Sequence, residues 1–434
     1  MKSKTVFGWL LIIILSLIPV LLLFTLGNGM QVFHNYGSLT HVLGQIFGLV
    51  GMTMFALTFM LSTRARFIEE LFGGLDKVYI VHGIFGGLAL LFILFHPIFL
   101  VLKFVPSAMG YAAKYLLPSN SWSVNFGIIA LLGLILLICF TLYSKMKYNK
   151  WKFTHEFLGI MFILAVLHIF LVRNTVAQDN IFNGYFVYAG VVSAIGIIAF
   201  IYSLVIRGEL IRNSLYKVIE LDKHGDFFEV TMNSNNPIDY KSGQFVFVKF
   251  YNRKVPSEAH PFSIASKSGD ENLKIVVKKL GDYTMLLENL NVGDKVSVEG
   301  PYGKFNYKNY DNHDQVWIAA GIGITPFLGM AEDLLDDDLH RVTLFYSVKD
   351  EKDFVGYKLL EEVSAKNNRF KFVPWNTSKQ GFITAKHIFE HTGKSARKEF
   401  FICGPPAFKD AIVSGLIKEG VSGNKIHNEE FGFR

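Results

Sequence analysis

The chain has 434 residues, 51% of them hydrophobic and 15% aromatic, with a formal net charge of +7. Together with a positive mean hydropathy, these values fit a membrane protein that carries a soluble portion. Its two cysteines, Cys139 and Cys403, exclude a disulfide framework and a cysteine-ligated zinc or iron–sulfur site. No Lys/Arg block is long enough for a nucleic-acid arm, so the basic excess belongs to the flanks of membrane spans and to phosphate-bearing ligands.

Nearly all long apolar runs precede Arg207. Six spans of near 20 residues fit them, at 6–27, 41–62, 78–101, 123–144, 154–172 and 184–206. The basic head and apolar run of the first overlap the pattern of a cleaved signal peptide. The length of the run, with no small-x-small site after it, favours a retained helix. Lys2, Lys4, Arg64, Arg66, Lys77, Lys145, Lys147, Lys150, Lys152, Arg207 and Arg212 fall on one side of these spans, and Lys103, Lys114 and Arg173 on the other. The positive-inside rule then puts both termini and the soluble half in the cytoplasm.

Four histidines stand inside these apolar runs, where an ionisable side chain marks a functional site by default. His82 and His96 are 14 residues apart, and His155 and His168 are 13 apart. At about 1.5 Å per residue each pair spans roughly 20 Å, which puts one histidine near each face of the hydrocarbon. Four core histidines bonded to neighbouring helices would not need this repeat. Two stacked metal centres would, one from His82 and His155 and the other from His96 and His168. Imidazoles from facing helices are a common way to hold haem iron. A step of 14 returns to within about 40° of one helix face, whereas a step of 13 misses by about 140°. The fifth span is therefore expected to bend, tilt or carry a π-turn, and Pro97 is expected to disturb the third.

From Tyr216 the chain alternates apolar and polar residues. KVIELD, FFEVTM, GQFVFVKFY, LKIVVKKL and DKVSVEG read as strands of a small antiparallel barrel. Near Val316 the pattern becomes strand, glycine turn and helix, which predicts a doubly wound parallel sheet. Four motifs there carry chemistry. His260, Pro261, Phe262 and Ser263 offer an aromatic face and a hydroxyl at a strand end, suited to a flat ring with a ring nitrogen, although such tetrapeptides are common at sheet edges. The stretch from Lys278 to Thr284, with Gly281, leads a strand into a helix and forms either an anion site for a pyrophosphate or a simple helix cap. Gly321, Gly323, Thr325 and Pro326 follow a strand and open a helix, the setting of a phosphate-cradling loop, but lack the third glycine of the dinucleotide fingerprint. Cys403, Gly404 and Pro405 sit on another strand-to-helix turn, where a thiol can face a nicotinamide. A nucleophilic cysteine there has no local base. Ser347 and Lys349 follow the next strand, where a hydroxyl and a cation suit a 2′-phosphate and a solvated lysine is the plain alternative.

Taken in this order, the histidine pairs, HPFS, GDYT, GPYG (Gly300 to Gly303), GIGITP and CGPP resemble the NADPH oxidase and ferric reductase superfamily, over nearly the whole chain. In that superfamily a ferric-reductase-like membrane domain carries a ferredoxin–NADP reductase-type module. The resemblance implies a multidomain membrane protein: a six-helix transmembrane di-haem domain over 1–207, an antiparallel β-barrel FAD domain over 208–311, and an α/β doubly wound NAD(P)H domain over 312–434. By position it implies that His82, His96, His155 and His168 are the ligands of two haems, b-type by expectation. His260, Pro261, Phe262 and Ser263 match the flavin-ring segment, with Ser263 near the reactive ring nitrogen. Gly281 and Thr284 match the flavin-phosphate segment. Gly321, Gly323, Thr325 and Pro326 match the nicotinamide-dinucleotide loop, and Cys403, Gly404 and Pro405 the segment beside the nicotinamide. Phe431 or Phe433 matches the closing aromatic that shields the flavin.

The implied activity carries electrons from cytoplasmic NADPH, or NADH, through FAD and two haems to an acceptor at the outer face of the plasma membrane. Oxygen, giving superoxide, is the first expectation and a ferric chelate the alternative. Lys103 and Arg173, on the outer ends of haem-bearing spans, suit a superoxide or an anionic iron chelate equally. A transporter or scaffold with a regulatory nucleotide domain would need neither the paired histidines nor the flavin segment. No EF-hand loop precedes the first span, so calcium gating is not expected, and neither is an obligatory protein partner.

Overall fold

The computed structural model describes residues 2–26, 36–105, 108–115, 117–172, 184–207, 215–393 and 397–429. Arg173, Arg212, Phe431 and Phe433 lie outside the described residues. The chain divides into two compact units, Met1–Gly208 and Glu209–Arg434.

The first unit is helical: α1 (Lys2–Leu26), α2 (Tyr36–Ser62), α3 (Arg66–Phe72), α4 (Leu75–Leu102), α5 (Met109–Lys114), α6 (Trp122–Tyr143), α7 (Tyr148–Glu156), α8 (Leu158–Leu171) and α9 (Gly184–Ile201), which runs on into a π-turn over Tyr202–Ile206. Five segments are long and apolar enough to cross a membrane. They are α2, α4, α6, α7 with α8, and α9 with its π-turn. In α1 the apolar helix Val6–Leu22 is shorter. Residues such as Ile129, Leu132 and Leu136 on α6 point outward, as spans do when hydrocarbon rather than water is the solvent. α2 is the inner helix, packed on α4 and α9. Its glycines allow the close approach: a Cβ on Gly51 would lie 2.8 Å from Ile93, and one on Gly44 2.8 Å from Leu100.

The fifth span breaks at Phe157, where the chain tightens into i→i+3 bonding: the Phe157 N–H reaches Thr154 O at 3.3 Å and the Ile160 N–H reaches Phe157 O at 3.0 Å. A tighter turn advances more than 100° per residue, which supplies rotation that a straight helix lacks between His155 and His168. Pro97 does not break α4, which continues to Leu102.

The second unit holds two sheets. Six antiparallel strands, β1 (Leu215–His224), β2 (Phe227–Asn233), β3 (Phe245–Tyr251), β4 (His260–Ser263), β5 (Asn272–Lys278) and β6 (Lys295–Tyr302), run in the order β4-β3-β6-β1-β2-β5. A bridge between Ile264 and Ile275 joins the two outer strands and closes the sheet into a barrel. Val218, Val230, Val248, Ile275 and Val298 fill its interior. α10 (Asp282–Leu286) follows β5.

Five parallel strands, β7 (Asp314–Ala320), β8 (Arg341–Val348), β9 (Phe370–Asn376), β10 (Glu399–Cys403) and β11 (Ile426–Asn428), lie in the order β11-β10-β7-β8-β9. The helices are α11 (Thr325–Asp333), α12 (Tyr357–Lys366), α13 (Ala385–Thr392) and α14 (Pro406–Lys418). Trp317 and Ala319 enter one core with Phe327 and Leu360, whereas Val316 and Ile318 enter another with Ile388 and Leu416. Both faces of β7 are thus covered, as a doubly wound sheet requires. Each large side chain so buried contributes about 1.5–3 kcal/mol.

Candidate functional site

In the membrane unit the histidines meet as two pairs. The rings of His82 and His155 have centroids 6.1 Å apart, and those of His96 and His168 are 6.2 Å apart. Two imidazoles bound to opposite sides of one metal at about 2 Å each would put their centroids roughly 6 Å apart. The Nδ1 atoms are engaged elsewhere: His82 with Thr58 O at 3.0 Å, His96 with Gly44 O at 2.7 Å and His168 with Ser123 O at 2.8 Å. A ring that donates Nδ1–H to a carbonyl keeps Nε2 free as a ligand. His155 differs, since its Nδ1 meets the Thr141 hydroxyl at 3.2 Å, and that hydroxyl donates to Leu137 O. Trp151 stacks on the His155 ring. Gly48 and Gly127 give the other pair room, because a Cβ on either would fall within 2.7 Å of a histidine Nδ1. On α4, added Cβ atoms at Gly83, Gly86 and Gly87 would meet nothing within 4 Å. These positions leave open space along α4 near His82.

In the barrel, Ser263 ends β4 opposite Phe245 of β3. Its Oγ is buried and has no hydrogen-bond partner. An orphaned hydroxyl of this kind calls for an explanation, and a ring nitrogen of a bound cofactor would satisfy it. Phe262, on the other face of the strand, packs on the barrel core. His260 stacks on Tyr283 with centroids 3.7 Å apart, and its Nε2 lies 3.1 Å from Glu258. Burial lowers the His260 pKa below its ordinary value, with Glu258 opposing the shift. The Thr284 hydroxyl accepts the Leu280 and Gly281 N–H groups at 3.0 Å each, so it already caps α10. A Cβ on Gly281 would meet open space.

In the parallel sheet, register brings three motifs to adjacent carboxyl ends: Ala320 pairs with Ser347, and Ala319 with Cys403. The strand order reverses between β7 and its two neighbours, which is where open α/β sheets bind ligands. The glycines of the loop do different work. Gly321 has φ +54° and open space above it, whereas a Cβ on Gly323 would lie 2.3 Å from Cys403 O. Thr325 is buried and donates to Ile322 O at 2.8 Å, and Pro326 is buried in the first turn of α11. Gly404 packs against Ala320 and Phe408, and Pro405 precedes α14 as its N-cap. Ser347 is buried and Lys349 exposed. A cavity of about 910 Å³ opens beside the ends of β8 and β9, lined in part by Phe227, Lys352, Phe354, Tyr357 and Lys379. Cys403 is fully buried, and burial, then Glu429, pushes its thiol pKa well up. That shift gives no support to a nucleophilic cysteine.

A Cβ on Gly303 would lie 3.1 Å from the Phe245 ring and 3.3 Å from Glu429 Oε1, so Glu429 sits against the barrel end. Sequence reading missed Glu429 and the stacking role of Tyr283. An acidic residue in a short polar stretch carries no local signal, whereas Tyr283 stood inside a motif already singled out.

The first unit is apolar enough to span a membrane, and the second has the barrel and doubly wound sheet expected of an FAD- and nicotinamide-binding module. Residues 47–166 match the ferric reductase like transmembrane component, 212–306 an FAD-binding domain and 317–414 an oxidoreductase NAD-binding domain. The chain belongs to the NADPH oxidase and ferric reductase superfamily. It is 32% identical to the ferredoxin reductase component of a 3-ketosteroid-9-alpha-monooxygenase from Mycolicibacterium smegmatis, over 44% of this chain and 56% of that one. It is 26% identical to dual oxidase 1 of Caenorhabditis elegans, over 57% of this chain and 17% of that one. The phenol hydroxylase P5 protein of Acinetobacter pittii is matched at 25% identity, over 52% of this chain and 67% of that one. The chain thus spans about 56% to 67% of the length of such reductase-component relatives. A solved cytochrome P450 reductase from Amycolatopsis superposes with a TM-score of 0.45 at 24% identity, over 50% of this chain and 68% of that one.

Proposed function

We propose that this protein is a transmembrane NADPH oxidase of six spans that moves electrons from cytoplasmic NAD(P)H to oxygen at the outer face of the plasma membrane, producing superoxide. The observation that carries this reading is the pair of facing histidine couples, with centroid separations of 6.1 and 6.2 Å and each Nδ1 engaged elsewhere. His82 with His155, and His96 with His168, would each hold one b-type haem. When bound, FAD and the haems supply the conversion of a two-electron donor into single-electron carriage. The chain's residues hold, orient and insulate. Ser263 presents its unpartnered hydroxyl to the flavin ring, and Tyr283 fixes the His260 ring beside it. Gly281 and the N-terminal turn of α10 leave space for the flavin phosphates. Gly321 leaves backbone room for the nucleotide pyrophosphate, while Gly323 locks the loop against Cys403. Lys349, exposed at the end of β8, supports a 2′-phosphate and so NADPH over NADH.

The loop charges support a cytoplasmic soluble half. The match of residues 47–166 to a ferric-reductase-like component supports a second reading, a ferric-chelate reductase with the same electron path. One assay separates the two: NADPH-driven cytochrome c reduction by the detergent-purified chain with FAD, with and without superoxide dismutase. Loss of the signal with dismutase is expected. A signal that dismutase leaves untouched overturns the oxidase reading and favours direct reduction of ferric or protein acceptors.

A further inference from the structure

The carboxylate of Asp333 ends α11 and sits 6% exposed between the barrel and the parallel sheet. Its Oδ2 accepts the Ser242 hydroxyl at 2.6 Å and the Ser268 hydroxyl at 2.7 Å, and its Oδ1 accepts the Ser268 N–H at 2.9 Å. The Ser242 N–H donates to Ser268 Oγ at 2.9 Å, and Asn306 Nδ2 donates to Ser242 O at 2.7 Å. A buried carboxylate is costly unless such charge-assisted bonds replace its water.

What this node connects matters more than its stability. Ser268 lies five residues beyond Ser263, on the loop that follows β4. Ser242 lies just before β3, which pairs Phe245 with Ser263. Asn306 follows Gly303. On the other side, α11 begins directly after the glycine loop, and its nine residues form a rigid strut of about 12 Å. The helix presses on the barrel without a gap: a Cβ on Gly329 would lie 2.3 Å from Ser266 O. Ala265, Phe305, Phe327 and Met330 share one apolar core across this junction.

We propose that Asp333 is a positioning residue that sets the register between the flavin-facing serine and the nicotinamide loop, and so the reach of hydride transfer. This rests on the reading of the soluble unit as an NAD(P)H–flavin oxidoreductase. In the step concerned, a hydride leaves the reduced nicotinamide, which is oxidised, and joins the flavin, which is reduced. Asp333 touches neither partner. It holds the two supports against each other through one carboxylate, and misplacement of reacting groups by about 1 Å can cost roughly 10²-fold in rate.

The test is anaerobic stopped-flow reduction of the flavin by NADPH in the full-length chain, with thermal melting and FAD content measured in parallel. Asp333→Ala is expected to keep FAD and to slow flavin reduction at saturating nucleotide by about 10- to 100-fold, with half-saturation moved less than about 3-fold. Asp333→Asn keeps one acceptor oxygen and should fall between the variant and wild type. Ser268→Ala, which removes one donor, serves if Asp333→Ala does not fold, and the same split at smaller amplitude is expected. A lower melting temperature with wild-type flavin reduction in the folded variants would show that the node is only structural and would overturn the proposal. Wild-type protein whose bound flavin is not reduced by NADPH would instead sink the oxidoreductase reading itself.

Discussion

The two units carry their chemistry in opposite ways. In the membrane unit the candidate residues stand out by type, because a histidine among Leu, Ile and Phe has no cheap structural reason to be there. In the second unit they are mostly glycines, serines, threonines and prolines, which occur everywhere, and position more than type distinguishes them. Gly321 and Gly323 are two residues apart, yet one faces open space and the other touches the backbone of Cys403. Residue identity is informative where the solvent penalises polarity, and geometry is informative where it does not.

That contrast can be broken most directly at His168. His168→Ala should remove one haem and abolish NADPH-driven reduction of the external acceptor, while NADPH-to-dye reduction by the soluble unit stays within about 2-fold of wild type. Soret absorbance and dye reduction measured on one preparation check both halves. Full haem content in the variant would mean that the histidine pairs are ordinary core residues.

The converse substitution has a smaller effect. Ser263→Ala removes the one buried hydroxyl on β4 that lacks a partner. Loss of a single preorganised donor typically costs about 10²- to 10³-fold. Flavin reduction by NADPH should fall towards the lower end of that range, with the Soret band unchanged. A variant that reduces its flavin at the wild-type rate would assign the orphaned hydroxyl to packing alone.

How much was legible follows from the same contrast. Apolar runs at 41–62, 78–101 and 123–144 became α2, α4 and α6 within a few residues, because span length is set by bilayer thickness. The bend in the fifth span was foreshadowed by a 13-residue spacing that one helix face cannot accommodate, and it falls at Phe157. Pro97 does not end the third span, since α4 runs on through it to Leu102. The alternating strands of the barrel were plain. β9 was not, because it is an edge strand that contains Pro374. Asp333 was invisible for a different reason. Its partners Ser242 and Ser268 are 91 and 65 residues away, so no local pattern joins them.

The finest test of the contrast lies within the membrane unit, where three of the four histidines bond a backbone carbonyl and His155 bonds the Thr141 hydroxyl. A carbonyl cannot be removed by substitution, but Thr141 can be replaced by Val at nearly constant volume. The change would leave the His155 N–H without its acceptor and make the ring a weaker donor to any metal on Nε2. Outer partners of this kind are typically worth about 10- to 100-fold in affinity or activity. A hydroxyl at 3.2 Å is the weakest of the four, so Thr141→Val should weaken haem retention by no more than about 10-fold. The reduction potential of the His82–His155 centre should rise, because a less basic ligand favours the reduced metal. Potentiometric titration of the Soret band would resolve the shift, and the His96–His168 centre serves as the internal standard. A shift of both centres together would mean that Thr141 supports the packing of α6 on α8 rather than the basicity of one ring.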